Sequence, residues 1–346
     1  MIEQNVLLGN GINIEFSEND DYKNFAILQR MCVNLSTPGR YIDIFNGIID
    51  SSDMYDFMEK LNKWFKNHAL KGIESLSLFE NEDELRSILE MSKRYSHTDP
   101  SVIDIGLEDY LLGLKFFNAK YKEDALDFNT LYRGITMLML DAIYNDGRIE
   151  KLYENMECFK DELKKFKNIF TLNYDTNIDT LLGQPIYHLH GSFNSLHHEY
   201  RDDTLKGWLL LQTKGSLVPY IKGKEYLYCD AVFGFSGNDK MARIDKYNEI
   251  YNISGSEKIL KMHPELKTPK YPVDEFKRIN GVLHMIGVCP NNDSHIFKMI
   301  NENNNINRIL YYSANDKDSQ VIQKVMNKPV QIINVFKYWK KIRSLH

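Results

Sequence analysis

The chain has 346 residues, 43% of them hydrophobic and 12% aromatic, enough apolar material for one large domain or two modest ones, which excludes disorder as a class. Its 43 Lys and Arg against 48 Asp and Glu leave a formal charge of −5, which argues against a nucleic-acid binder working through a basic face. Cys32, Cys158, Cys229 and Cys289 form no Cys-x-x-Cys pair, the opening "MIEQNVLLGNG" lacks the signal-peptide pattern, and no apolar run reaches the ~18 residues of a membrane span, so a reduced, cytoplasmic protein is expected.

In chain order, "NVLLGNGINIEF" reads as a buried strand running into a tight Gly-Asn-Gly turn. Over residues 40–165 the period changes to that of helices. "DMYDFMEKLNKWF" puts Phe57, Met58, Leu61, Trp64 and Phe65 on one face, and "EDELRSILE", "LEDYLLGLKFF" and "LYRGITMLMLDAIY" repeat the pattern. Within this block Glu108 and Asp109 read as a capped, solvated helix start and receive no functional role.

From Lys167 short apolar runs return. "NIFTLN" reads as a strand, "YDTNIDTLL" as a helix start, and "PIYHLHG" as a further strand. The apolar runs "GWLLLQ" and "EYLYCDAVFGF" come next, and then a helix-prone stretch from Met241 to Lys261. "GVLHMIGVCPNNDSHIFKMI" and "NRILYYSANDKDSQVIQKVM" each give strand, loop and helix, and "PVQIINVFKYW" closes with a strand and a terminal helix. The aromatic and basic run "FKYWKKIR" is expected to be a solvated face on that last helix. Strands and helices alternating in this way predict an α/β fold: a Rossmann-like, mostly parallel sheet with helices on both faces. The expected organisation is one domain over 1–346 with a large helical insertion over 40–165.

Open parallel sheets bind ligands where the loops meet at the carboxyl ends of their strands. Four such ends carry the notable polar groups: Gly9-Asn10-Gly11, Asn173 to Asp175, His190-Gly191, and Gly287 to Asp293. The glycine turn suits either the approach of a diphosphate or an ordinary tight turn. The third glycine of the dinucleotide fingerprint is absent, since Ile14 stands in its place. His188, His190, His197 and His198 lack zinc spacing, so no metal site is expected. A histidine before glycine at a strand end, facing an Asn-x-Asp loop, is harder to assign to packing.

"GNGIN", "FTLNYDTNID", "HLHGS" and "IGVCPNNDSHI", in this order, resemble the sirtuin-like domain of bacterial antiphage-defence and abortive-infection proteins. Gly9, Asn10, Gly11 and Asn13 correspond to the family's first loop, Gly-Ala-Gly-x-Ser, with Asn10 and Asn13 in place of its alanine and serine. Thr171, Asn173 and Asp175 match its Thr-x-Asn-x-Asp motif, and His190 and Gly191 its His-Gly pair. Gly287, Asn292 and Asp293 match the later ribose loop. The resemblance covers about 190 residues in two parts and leaves the helical insertion outside. Two departures stand out: "IEFSEND" replaces the Pro-x-Phe-Arg segment of protein-deacylating sirtuins, and no four-cysteine module is present.

What survives is machinery for opening a nicotinamide glycosidic bond, so the resemblance implies an NAD glycohydrolase with water as acceptor. NAD enters as substrate, without a metal. A deacylase, an ADP-ribosyltransferase and a non-catalytic nucleotide sensor are the alternatives. The implied catalytic set is Asn173, Asp175 and His190. The implied binding set is Gly9, Asn10, Gly11, Asn13, Thr171, Gly191, Gly287, Asn292 and Asp293. An enzyme that depletes NAD requires control, so a homo-oligomer, a regulatory defence partner or a nucleotide signal is expected, with no membrane or direct nucleic-acid partner.

Overall fold

The computed structural model describes residues 2–41, 51–64, 88–89, 91, 95, 101, 105–120, 128–213, 221–249, 255–290 and 293–344. Asn292, Phe65, most of "EDELRSILE" and the side chains of Leu61 and Trp64 lie outside the described residues.

Six strands form one parallel sheet: β1 (Gln4–Leu8), β2 (Asn168–Thr171), β3 (Tyr187–His188), β4 (Gly281–Ile286), β5 (Ile306–Ser313) and β6 (Val330–Asn334), in the order β3-β2-β1-β4-β5-β6. This is a Rossmann-like α/β fold, and its topological switch point lies between β1 and β4, on either side of which the chain winds in opposite directions. β1 sits mid-sheet, and its residues Asn5 to Leu8 are all buried, as a strand covered on both faces requires.

Alternate residues along the strands feed two cores. Leu7, Phe170, Leu283, Met285, Ile309 and Tyr311 point to one face and pack with Phe276, Phe297, Ile300 and Ile322 from the helices Val273–Lys277, Ser294–Glu302 and Asp316–Val325. On the other face Phe16, Phe159 and Trp339, from the helices Gly11–Phe16, Glu157–Leu163 and Val335–Arg343, meet ring to ring, with Phe16 and Phe159 5.3 and 5.1 Å from Trp339. Each large apolar side chain so buried contributes about 1.5–3 kcal/mol.

The register sets where the loops begin. Leu8 pairs with both Thr171 and Ile286, and Thr171 pairs with His188. Four strands therefore end at one level, and the loops that follow leave the sheet side by side.

The chain separates into two compact units. One is Met1–Asn19 with Asp146–Val232 and Met241–His346, and it carries the sheet; the other is Asp20–Asn145 with Phe233–Lys240. The second unit contains the helices Asn24–Ser36, Ser51–Trp64, Leu107–Lys120 and Phe128–Tyr144. Residues Asp20 onward belong to this unit, whereas the helix Glu157–Leu163 belongs to the first and packs through Phe159 against Phe16 and Trp339. Asp109 is not a solvated helix start. It is buried and accepts a 2.6 Å hydrogen bond from the Tyr95 hydroxyl, while Glu108 pairs with the buried Lys240 at 2.9 Å.

The apolar run "GWLLLQ" lies in the helix Leu205–Gln212, whose N-cap Thr204 accepts from the Gly207 N–H. "PIYHLHG" is strand only at Tyr187–His188, because the chain turns at Gly191, whose φ is +80°.

Candidate functional site

At the carboxyl end of β1 the glycines serve close backbone packing. A Cβ on Gly9 would lie 2.5 Å from the Gly287 carbonyl oxygen, and one on Gly11 would lie 2.6 Å from Gly287 Cα. The N–H groups of Gly9 and Gly11 donate to the carbonyls of Ile286 and Gly287, both at 2.9 Å. Those two donors are spent on the neighbouring loop, which leaves neither for a diphosphate. Gly287 itself sits at φ +71°. The three glycines thus weld the β1 and β4 loops together at the switch point.

Asn13, on the helix that follows, donates from Nδ2 to Asp175 Oδ2 at 2.6 Å. Asp175 Oδ1 accepts from both the backbone N–H and the Nδ2 of Asn177. Burial pushes the Asp175 carboxyl upward, and the Asn13 and Asn177 hydrogen bonds oppose that shift. Asp175 is therefore a buried tie between the loops after β1 and β2. The Thr171 hydroxyl accepts from the Asn173 N–H at 3.1 Å, and Asn173 Nδ2 reaches the Gly9 carbonyl at a long 3.5 Å. Of the expected catalytic residues, Asn173 alone keeps part of its surface exposed.

Next to this loop Glu150 accepts from both the N–H and the hydroxyl of Thr176, at 2.8 and 2.6 Å. Burial raises its carboxyl.

The histidines of "HLHGS" divide by environment. His188 is held between Asp179 Oδ2 at 2.9 Å and the Asn173 carbonyl at 3.2 Å. Burial works against its charged form, but the Asp179 carboxylate outweighs this and holds the pKa above the usual histidine value. His190 faces elsewhere, its Nε2 lying 2.9 Å from Nε2 of His295 with the rings stacked at 5.1 Å. The two histidines do not alternate along one regular strand, since the strand ends at His188. Nor is His190 a rim side chain: it is 2% exposed, and His295 3%. The loops after β3 and β4 lie three strand spacings of about 4.8 Å apart, and this pair joins them across the ends of β2 and β1.

Gly191 does not leave room for a ligand. A Cβ there would meet the Asp230 carbonyl oxygen at 2.2 Å. Asp230 Oδ1 accepts from the Ser192 N–H at 2.9 Å, and burial pushes its carboxyl up to about 6. A cleft of about 1200 Å³ opens beside this turn, walled by Asp179, His188, Gly191, Ser192, Asp230 and Tyr271 among others. Small-molecule sites commonly occupy about 300–1000 Å³, so the cleft is roomy for one. Its walls do not include Asn173, Asp175 or His190.

The structure therefore brings the loops after β1 and β2 together through two sets of hydrogen bonds, Asn13 with Asp175 and Thr171 with Asn173 and Gly9, while Gly11 bonds to Gly287. Asn10 is exposed beside them, Gly191 belongs with the Asp230 turn, and Asp293 joins His190 and His295. Sequence reasoning missed His295, Asp230 and Asn177. His295 stands two residues beyond Asp293, in the first turn of the helix Ser294–Glu302 that follows β4, a position that could have marked it. Asp230 sits in irregular chain with no pattern around it.

His197 and His198 pack against Tyr247, and burial lowers their pKa to about 3 and about 4, which reads as neutral core histidines. Among the described residues no helix is long and apolar enough to cross a membrane.

Fold and loops define a parallel, Rossmann-like α/β protein with a dense polar cluster at its switch point. Comparison with family models, with curated proteins and with solved structures finds no match to this chain.

Proposed function

We propose that the chain is an NAD glycohydrolase of the sirtuin-like kind, releasing nicotinamide and ADP-ribose, and that it serves abortive infection by depleting NAD. One observation carries this reading: the motif loops after β1 and β2 are joined by the Asn13–Asp175 bond, beside the His190 turn, at the switch point of a parallel sheet. Breaking the glycosidic bond builds positive charge on the ribose. Asn173, partly exposed at the end of β2, would hold a ribose hydroxyl or the attacking water near the reacting carbon. A neutral His190 would take the proton, and Asp175 would act through Asn13 and Asn177 by fixing the loop.

The residues fit a dinucleotide in part. The cleft beside Gly191 is large enough, but Gly9 is buried, Gly9 and Gly11 both pack against Gly287, and their N–H groups are engaged. Phosphate contacts would then fall to other groups of these loops, such as the exposed Asn10.

A nucleotide sensor without turnover is the second reading. The burial of His190 against His295 favours it. Incubating the pure chain with NAD and separating the products by chromatography tests both readings. Release of nicotinamide with ADP-ribose supports the enzyme. Saturable NAD binding with no release, alone and with candidate partners, supports the sensor and removes the enzyme.

A further inference from the structure

His190, from the turn after β3, is distant in sequence from Asp293 and His295 at the start of the helix Ser294–Glu302, yet one ligand atom from each lies within 4.8 Å of the other two. The two Nε2 atoms are 2.9 Å apart inside the protein, both rings being buried, while Asp293 is half-buried at the start of its helix. Between two neutral imidazoles only one proton can bridge such a pair, so one ring must donate and the other accept. A divalent cation would instead use both nitrogen lone pairs. Nitrogens bound at about 2.1 Å stand about 3.0 Å apart at right angles and about 3.4 Å apart in a tetrahedron, close to the spacing already present. Imidazoles with one carboxylate suit zinc and its first-row neighbours and leave coordination positions open, whereas calcium and magnesium prefer all-oxygen sets.

We propose that His190, Asp293 and His295 bind a zinc-class divalent cation, and that filling the site withdraws His190 Nε2 from proton transfer. The ion would act as a brake on whatever chemistry uses His190. The binding site itself does not depend on the NAD reading, although it shares His190 with it. It departs from the expectation of no metal because His295 is 105 residues from His190, a pairing that only the fold creates.

The test uses the full chain, stripped with EDTA and dialysed, then titrated with Co2+ and followed by visible absorption, with Zn2+ as competitor. The expected result is about one Co2+ per chain, displaced by Zn2+. Asp293→Asn and His295→Gln should each weaken binding more than about 100-fold, beyond the range for residues that merely support a ligand. His263→Gln, at a partly exposed histidine paired with Glu265, should leave it unchanged. Should His295→Gln fail to fold, the half-buried Asp293→Asn decides alone. No saturable Co2+ binding, or binding untouched by Asp293→Asn, overturns the site.

In the activity arm, Zn2+ should slow nicotinamide release at least about tenfold in the wild type and less than twofold in His295→Gln. Turnover without Co2+ binding removes the metal site alone. Co2+ binding without turnover removes the NAD reading alone.

Discussion

Asn13 and Asp175 stand 162 residues apart in sequence and 2.6 Å apart in the structure, joined by an amide-to-carboxylate hydrogen bond inside the protein. That bond ties the helix after β1 to the loop after β2, and with it the two halves of the proposed site. Asp175→Ala should strand the Asn13 amide and remove one partner each from the Asn177 N–H and Nδ2, and cost about 2–4 kcal/mol. Asn13→Ala with Asp175→Ala should cost less than the two singly, because they share one interaction. Urea unfolding measures this, and additive losses would show the bond to be incidental.

The glycines separate strain from collision. Gly183→Ala, at φ +67° with nothing within 4 Å, should cost only about 1 kcal/mol. Gly191→Ala has a similar φ of +80° but sets a methyl 2.2 Å from the Asp230 carbonyl, so it should cost several times as much. Gly11→Ala should resemble Gly191→Ala, because the atom it meets at 2.6 Å is Gly287 backbone. Equal losses at Gly183 and Gly191 in denaturant titration would refute the packing role.

Asp230 offers a pH signature. Burial raises its folded pKa to about 6, so the protonated acid is favoured in the folded state. The stability it contributes is complete below its unfolded value, near 4, and is lost as pH rises through about 6. Asp230→Asn, which mimics the protonated acid, should match the wild type at pH 4 and exceed it at pH 7 by up to about 3 kcal/mol. Thermal melts across that range check the sign; a variant that is less stable at pH 7 would contradict it.

For the proposed chemistry, His190→Ala and Asn173→Ala should each lower nicotinamide release by about 10²–10⁴-fold. His190→Ala should also lose stability, since it removes a buried ring from His295. Asn173→Ala, at a partly exposed position, should not. His188→Ala should cost stability by freeing Asp179, with a smaller effect on rate. A folded His190→Ala with near wild-type turnover would show that the motif is misassigned.

Much of the architecture was legible because alternation of strands and helices is a local property. Runs such as "NVLLGN" and "GVLHMIG" are mostly apolar rather than alternating because their strands are covered on both faces, and that pattern survives without knowledge of the partners. The motif loops were legible for the same reason: strand ends can be read locally, and parallel strands bring their carboxyl ends to one edge.

What those loop residues do was decided by tertiary contact. The spacing of "HLHG" suggests two histidines on one strand face, but the chain turns at Gly191 because the Asp230 segment occupies the place of a Cβ. His190 is thereby sent to His295, and His188 to Asp179. Gly9 and Gly11 look like a phosphate turn in sequence, yet their N–H groups answer the carbonyls of Ile286 and Gly287. A sequence determines which residues can stand at a strand end. Which partner each one meets depends on strand order and register, and these are settled by packing between segments far apart in the chain.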